Sequence, residues 1–317
     1  MIFTAHPPVK KHVLKEESAQ AQLQFSLHDK AHCSMPGLFT SLPKSKEGPK
    51  DYSLLPYQHG EVTLSVKGAQ LSVFDGRVLQ VLVALAGKNK ILKETDDGHC
   101  LYIPDINLAE MCRELGMSYE NRSVNSISAS LSHLHQVKLT YQYTDQERFS
   151  RAGNRLIDRK TLETGIIYRI ERLETEYETL SEGQNKERIV KKVVKINSIS
   201  VLLNQRIAEV VMNSHKAGYV RIELKEAREL SDSAWAIHQR LCAFVDPGKI
   251  SFPIHVDTLC EYAWGSSAGL TEIAYRKRRS LARKAAAEFI GIKWKVLEDK
   301  KKFIFERPSL ATNEANV

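Results

Sequence analysis

The residues from Thr271 to Glu306 constrain the fold more than any other stretch, because a helix pattern is followed at once by two strand patterns. At 100° per residue, residues 271–291 separate into an apolar face and a basic face, as in an amphipathic helix. The apolar face holds Ala274, Leu281, Ala285, Phe289 and Ile292. The opposite face holds Arg276, Arg279 and Arg283, with Lys277 and Lys284 on its flanks.

Two short alternating runs follow this helix, residues 292–297 and 301–306, joined by residues 298–300. The first run places Lys293, Lys295 and Leu297 on the face opposite Ile292, Trp294 and Val296. A helix followed by a basic hairpin is the order of a winged helix, whose helix enters a DNA groove while the hairpin contacts the backbone beside it.

The positive charge of the chain is concentrated in the same segment. Residues 271–302 contain eleven Lys or Arg and four Asp or Glu, a net charge of +7, and the whole chain carries +8. Such a concentration is typical of a phosphate-binding surface, although a solvated helix face is the simpler alternative. Two features favour nucleic acid: the hairpin is basic as well, and Glu272 and Glu288, which could pair with the arginines, lie near the helix ends.

Length and composition set the broader class. A chain of 317 residues with 42% hydrophobic and 26% charged residues suits two globular domains. No apolar run approaches the roughly 20 residues of a membrane span, and the N-terminal residues lack a secretory pattern. Five scattered cysteines without a CxxC pair favour reduced thiols in the cytoplasm. His28, His32 and Cys33 are too few and too irregularly spaced for a zinc site, so we expect neither metal nor cofactor.

The fold class predicted from these patterns is α+β, with two tandem winged-helix domains. Residues 1–60 are predicted to form a flexible N-terminal arm and loop, residues 61–215 a first winged-helix domain, residues 216–308 a second and principal DNA-binding one, and residues 309–317 a tail. The second unit repeats the order of the first, with helices predicted at 232–245 and 255–264 before the basic helix.

The first unit is predicted to contain a strand at 62–66 and helices at 74–86, 106–115 and 120–135. Its wing is predicted from residues 137–143 and 165–172, with a charged tip at 144–164; a second loop is expected at 174–187, a strand at 188–196 and a helix at 199–212. The helix at 120–135 turns Val124, Ile127, Leu131 and Leu134 inward and leaves Arg122, Asn125 and Ser126 outside. That outer face suits DNA contact and an ordinary wet surface equally.

Several short runs resemble the RepC replication initiators of IncQ-type plasmids, in the same order along the chain. The runs are 28–33 (HDKAHC) with 36–39 (PGLF), 238–242 (HQRLC) with 245–249 (VDPGK), 257–260 (DTLC) with Tyr262 and Trp264, and 276–279 (RKRR). More distantly, the two-unit plan is similar to that of iteron-binding initiators with tandem winged helices. The N-terminal arm and the charged insertions at 144–164 and 174–187 depart from the family's pattern.

The resemblance implies a function. Such proteins bind directly repeated iterons at a plasmid origin, promote opening of an adjacent A·T-rich segment, and recruit a plasmid-encoded helicase, which acts with a primase. Plasmid copy number then depends on initiator supply and on pairing between bound initiators, so a homodimer is possible. The resemblance supplies no catalytic residues, since this family acts by binding.

On this hypothesis the basic helix lies in the major groove, where Arg276, Arg279 and Arg283 could donate to guanine and Lys277 and Lys284 flank them. The hairpin lysines would contact phosphates: Lys293, Lys295, Lys300, Lys301 and Lys302.

Two other functions are compatible with parts of the sequence. His133-Leu134-His135 matches the His-hydrophobe-His pattern of rolling-circle nicking initiators, but the pair lies in a helical pattern, where residues i and i+2 point about 200° apart. No GxxxxGK[ST] loop is present, which argues against ATP hydrolysis, and we expect no enzymatic activity. A winged-helix transcriptional repressor is the second alternative.

Overall fold

A computed structural model gives the structure and describes residues 23–41, 51–60, 62–96, 98–149, 155–182, 188–212 and 219–309. Helices and sheets are mixed along the chain, as the sequence predicts. The elements up to residue 136 are β1 Phe25–Asp29, α1 Lys30–Ser34, β2 Phe39–Thr40, β3 Asp51–His59, β4 Val62–Ala69, β5 Leu71–Ser72, α2 Val73–Asn89, β6 Ile91–Thr95, β7 Gly98–Ile103, α3 Leu108–Glu114 and α4 Asn121–Gln136. The remaining elements are β8 Lys138–Phe149, β9 Arg155–Gly165, β10 Ile167–Glu182, β11 Arg188–Leu203, α5 Gln205–Met212, β12 Tyr219–Glu223, α6 Leu224–Glu229, α7 Asp232–Phe244, β13 Ile254–His255, α8 Val256–Trp264, α9 Glu272–Glu288, β14 Lys295–Asp299 and β15 Lys302–Glu306.

Buried apolar side chains form two clusters. The first draws on residues 23–224 and surrounds α2, with the strands of two sheets and helices α4 and α5. The second contains residues 220–305 together with Val73 from α2, and it lies among α7, α8, α9 and the hairpin β14–β15. The division into domains at residue 215 stays a prediction, because residues 213–218 lie outside the described residues.

Two antiparallel sheets build the first half, in the orders β3-β4-β8-β9 and β10-β11-β7-β6. The inner stripe predicted for α4 is correct: Ile127, Leu131 and Leu134 are fully buried and Val124 is half-buried. The predicted helix at 74–86 is α2, which begins after Ser72, in a capping box with Asp75, and ends at Lys90 in a left-handed conformation.

The predicted wing of the first half is wrong. Residues 138–149 pair with β9, with Lys138 opposite Gly165, and β10 pairs instead with β11 in the other sheet. Most of the segments predicted as charged loops therefore lie in strands; only residues 150–154 and 183–187 fall outside the described part. Two-stranded ribbons of charged residues lack the buried face that produces alternating hydrophobicity, so the strand signal is weak.

Two further predictions are corrected. The helix expected from residue 199 begins only at Gln205, because residues 199–203 continue β11, where Ile199, Val201 and Leu203 are buried. Residues 1–60 are not all arm and loop. Strand β1 pairs with β12, β2 pairs in parallel with β5, and β3 pairs with β4. Residues 1–22, 42–50 and 310–317, which cover most of the predicted arm and tail, lie outside the described residues.

The second half has the order helix, short strand, helix, helix, hairpin. Helix α7 begins after the cap Ser231, and β13 leads into α8. Strand β15 pairs with β13 on one side and with β14 on the other, which gives a three-stranded sheet in the order β13-β15-β14. Phe289 and Trp294 are buried as predicted and Phe303 is buried with them, whereas Phe244 and Leu281 are 43% and 39% exposed. Within the described residues, no helix is long and apolar enough to cross a membrane.

Candidate nucleic-acid interface

Helix α9 is held on α7 and α8 by its small side chains. Thr271 caps its N-terminus by accepting a hydrogen bond from the amide of Ala274 at 3.3 Å. Ala282, Ala285 and Ala286 are buried, and Phe289 follows them into the second core. The buried side is therefore rotated slightly from the predicted one, since Ala282 lies inside and Leu281 is 39% exposed.

The exposed side of α9 is rotated in the same sense. The side chains turned to solvent are those of Glu272, Ile273, Arg276, Lys277, Ser280, Leu281, Lys284 and Ala287. Arg279 and Arg283, one turn apart, are half-buried along one border of this side, where Arg279 contacts α8 and Arg283 contacts the hairpin. Of the five basic residues predicted to read DNA from α9, the structure therefore brings Arg276, Lys277 and Lys284 together on the open face.

All three predicted arginines make ion pairs within the chain, and two of the three acids come from other elements than α9. Arg276 Nε donates to Glu272 at 2.9 Å, one helical turn away. Arg283 Nε donates to Glu298 of β14 at 3.0 Å, which ties the helix to the hairpin. Only the first of these acids lies at the i−4 position that sequence spacing could identify.

Among the three arginines, Arg279 makes two hydrogen bonds to its acidic partner, whereas Arg276 and Arg283 make one each. Its Nε and Nη2 atoms donate to the two carboxylate oxygens of Asp257 in α8, at 2.5 and 2.8 Å, and its guanidinium lies over the ring of Tyr275 at 4.4 Å. The hydrogen bond from Arg279 lowers the pKa of Asp257, and the same bond raises the pKa of Arg279. This two-bond fork fixes α9 against α8.

The hairpin presents lysines on its outer face, as the alternation predicts. Lys293, Lys295, Lys300, Lys301 and Lys302 are all exposed, while Trp294 and Phe303 lie in the core. Lys295 pairs with Glu306 at 2.6 Å. Lys293 and Lys300 adopt positive φ angles of 67° and 57°, where glycine or asparagine is less strained.

Six lysines on α9 and the hairpin make no ion pair with any residue that the structure describes. They are Lys277, Lys284, Lys293, Lys300, Lys301 and Lys302. Among the described residues, the acid nearest to them in the hairpin is Asp299, which lies opposite Lys302 and next to Lys300. The open face of α9 and the tip of the hairpin are the two places where this charge meets solvent.

The candidate DNA-contacting residues on α4 differ in their exposure. Arg122 and Asn125 are exposed and Ser126 is half-buried. Arg172, which no sequence pattern indicated, reaches from β10 to α4 and donates from Nη2 to Ser132 Oγ at 2.9 Å. This contact adds a basic side chain beside the outer face of α4.

The histidines that suggested a metal or a nicking centre bond to different partners. His133 Nδ1 lies 3.3 Å from Asp75 Oδ1, whereas His135 Nδ1 lies 3.0 Å from the carbonyl of Ile167. The helical position of the pair is as predicted, and the two rings meet different partners. His32 bonds to the hydroxyl of Tyr141 and His28 to Ser26. No group of three or more potential metal ligands occurs among the described residues.

A model of the family described as replication protein C matches residues 20–309. The chain belongs to the replication protein C family. The resemblance drawn from the short sequence runs is therefore confirmed for most of the chain. No curated protein sequence matches this chain.

Two crystal structures of domains 2 and 3 of RctB share the fold of this replication protein C. The selenomethionine derivative has a TM-score of 0.55 at 10% identity, covering 89% of this chain and 98% of that one. The other has a TM-score of 0.52 at 10% identity, covering 85% of this chain and 95% of that one. At this identity the likeness concerns the fold alone.

Arg307 is a buried cation that no sequence pattern indicated. Arg307 is 4% exposed and donates to the carbonyls of Cys242 and Val245 at 3.3 and 3.0 Å, and to that of Arg221 at 2.5 Å. It satisfies carbonyls at the C-terminus of α7 and joins them to β12. Its role is structural, which sequence position alone does not reveal.

Proposed function

We propose that this replication protein C is a plasmid replication initiator that binds directly repeated iterons through a winged helix formed by α7, α8, α9 and the hairpin β14–β15. The observation that carries the proposal is the set of six exposed lysines without a described acidic partner on α9 and the hairpin. Membership of the replication protein C family supports it, as does the three-stranded sheet that places the hairpin beside α9.

In this proposal the open face of α9 enters the major groove. Arg276 gives up its exposed ion pair with Glu272 and donates to base edges or phosphates instead. That ion pair contributes less than about 1 kcal/mol of stability in water. Lys277 and Lys284 contact phosphates beside the groove, and the hairpin lysines contact the next stretch of backbone. Arg279 positions α9 through Asp257, and Arg283 positions the hairpin through Glu298.

The first half is proposed as a second winged-helix unit, with α3 and α4 in helix-turn-helix order and the ribbon β8–β9 as its wing. Arg122, Asn125 and Ser126, joined by Arg172, would contact the neighbouring groove or a second protomer in a homodimer. The bound protein would then open an adjacent A·T-rich segment and recruit the plasmid-encoded helicase. It would act by binding alone, without catalytic residues or a cofactor.

A footprint of the protein on the repeat-containing segment of its plasmid tests the proposal, at about 50 and 200 mM salt. We expect protection that repeats with the iterons and persists at the higher salt. Uniform protection that disappears at the higher salt would contradict iteron recognition. Protection confined to a promoter would identify a repressor, and metal-dependent strand cleavage would identify a nicking enzyme.

A further inference from the structure

The first turn of the basic helix α9 carries an exposed apolar side chain. Ile273 is 82% exposed and lies in the first turn of α9, directly after the capped N-terminus. Helix geometry places Lys277 one turn further on and Ser280 two turns further on, along the same line. Both of these side chains are exposed. Ile273 thus begins a line of otherwise polar residues on the open face.

Ile273 does not help to pack α9 against the rest of the protein. The contacts that hold α9 come from Ala282, Ala285 and Ala286 on the opposite side, and from the fork between Arg279 and Asp257. Ile273 is also not part of either buried cluster or of the partly buried residues packed against them. Ile273 lies on the open face of α9 together with Arg276 and Lys277, so a ligand that docks on this face would reach all three side chains.

We propose that Ile273 is a specificity-determining residue of this protein and packs against the 5-methyl group of a thymine in each origin repeat. The inference rests on the proposed function, since it requires α9 to lie in the major groove. The thymine methyl is the apolar group that base edges present there, and residues near the N-terminus of a groove-bound helix contact those edges. Arg276 and Lys277 beside it supply the donors that phosphates and guanine require.

Replacement of single thymines by deoxyuridine tests the contact, because deoxyuridine pairs identically and lacks only the methyl group. The probe is a duplex of the plasmid's repeat segment, substituted at one thymine position at a time. We expect one position per repeat at which the wild-type protein loses about fourfold in affinity, the effect of one methyl-sized apolar contact. Ile273→Ala should bind the unmodified repeat more weakly and show no further loss with deoxyuridine at that position.

The matched control is Ile290→Ala, which also removes an exposed isoleucine, 63% accessible, beyond the other end of α9. It should retain the thymine sensitivity of the wild type, and Ile273→Val should retain part of it. Thermal unfolding of each variant verifies that the fold is kept. Repeat-specific binding with the same deoxyuridine profile in wild type and Ile273→Ala would overturn the inference and leave the proposed function standing. Absence of repeat-specific binding by the wild type would overturn the proposed function itself.

Discussion

At the scale of single residues, Arg279 shows how a side chain that sequence assigns to DNA is used to hold the fold. Asp257, its partner, lies 22 residues away in α8, and both side chains are about one quarter exposed. Arg276, one turn earlier, makes its pair with Glu272 in open solvent. Two arginines of the same face therefore differ in how much their ion pairs contribute to stability.

A double-mutant cycle measures this difference. We expect Arg279→Ala and Asp257→Ala each to lower the free energy of unfolding, with a coupling energy of roughly 1–2 kcal/mol, because two charge-assisted hydrogen bonds are lost together. Urea denaturation of the two variants and their combination gives the value. The control cycle on Arg276 and Glu272 should give under about 0.5 kcal/mol. Equal couplings in the two cycles would show that Arg279 has no special positioning role.

Two buried histidines make stability depend on pH. Burial, followed by the charge of His32, lowers the pKa of His28 to about 3, and burial also lowers the pKa of His32. In the unfolded chain both rings titrate near 6.5. Between these values the unfolded state binds protons that the folded state does not, so the stability is complete above pH 6.5 and falls as the pH falls toward 3.

The expected slope is up to about 1.4 kcal/mol per pH unit for each histidine. In His28→Gln, which keeps a neutral polar side chain near Ser26, the slope between pH 6 and pH 4 should be smaller by about this amount. Urea denaturation across the pH range measures it, with the same change at the exposed His99 as the control. If both variants have the same slope as the wild type, His28 is not buried in its neutral form.

At the scale of elements, α9 and the hairpin act as one unit, because Arg283 of the helix bonds to Glu298 of β14 and both pack on the same core. The hairpin tip then lies at a fixed place relative to the open face of α9. Its lysines carry no information about base sequence, whereas α9 does in the proposed complex.

The triple variant Lys300→Ala, Lys301→Ala and Lys302→Ala should lose affinity equally on repeat and scrambled DNA. Each lost phosphate contact lowers the slope of log K against log salt by about 0.9, so we expect a decrease of about 2 to 3. Binding titrations at several salt concentrations measure it. A variant with alanine at the exposed Lys88, Lys90 and Lys93 has the same net charge and should keep most of the slope. An equal decrease in both variants would indicate an effect of net charge alone.

At the scale of the whole molecule, α2 joins the two cores. Arg77 donates to the carbonyls of Ala227 and Leu230 at 2.6 and 2.7 Å, and Gln80 accepts a hydrogen bond from Trp235 Nε1 at 3.0 Å. Gly76 lies between them against the indole ring of Trp235, which is 1% exposed. A side chain at this glycine has no space, since its Cβ would overlap that ring and lie 3.1 Å from Phe39 Cδ1.

Two glycines of the same helix allow a matched test of this junction. Gly76→Ala should destabilise the protein by roughly 1–3 kcal/mol, because α2 and α7 must move apart. Gly87→Ala, whose Cβ would lie 3.9 Å from Val211 Cγ1, should be neutral or stabilise by up to about 1 kcal/mol. Thermal unfolding monitored by tryptophan fluorescence compares them. A stabilising effect of Gly76→Ala would show that the two cores are not packed closely at this point.

The sequence by itself determined the elements whose patterns are local. The amphipathic helix at 271–291, the alternation of Lys293 and Trp294, and the inner stripe of α4 follow from periods of 3.6 and 2 residues, which the structure retains. The short runs that pointed to the replication protein C family are equally local, and the family match over residues 20–309 confirms them.

Only the tertiary structure decided which elements meet. The pairing of β1 with β12 rests on contacts between distant segments, and the charged ribbon β8–β9 carries little hydrophobic signal. The same holds for the arginines of α9. A helical period places them on one side, but Asp257 in α8 and Glu298 in β14 determine that Arg279 and Arg283 brace the helix and leave Ile273, Lys277 and Ser280 facing outward. Side-chain pairing across a fold depends on how elements pack, and no spacing within one element encodes it.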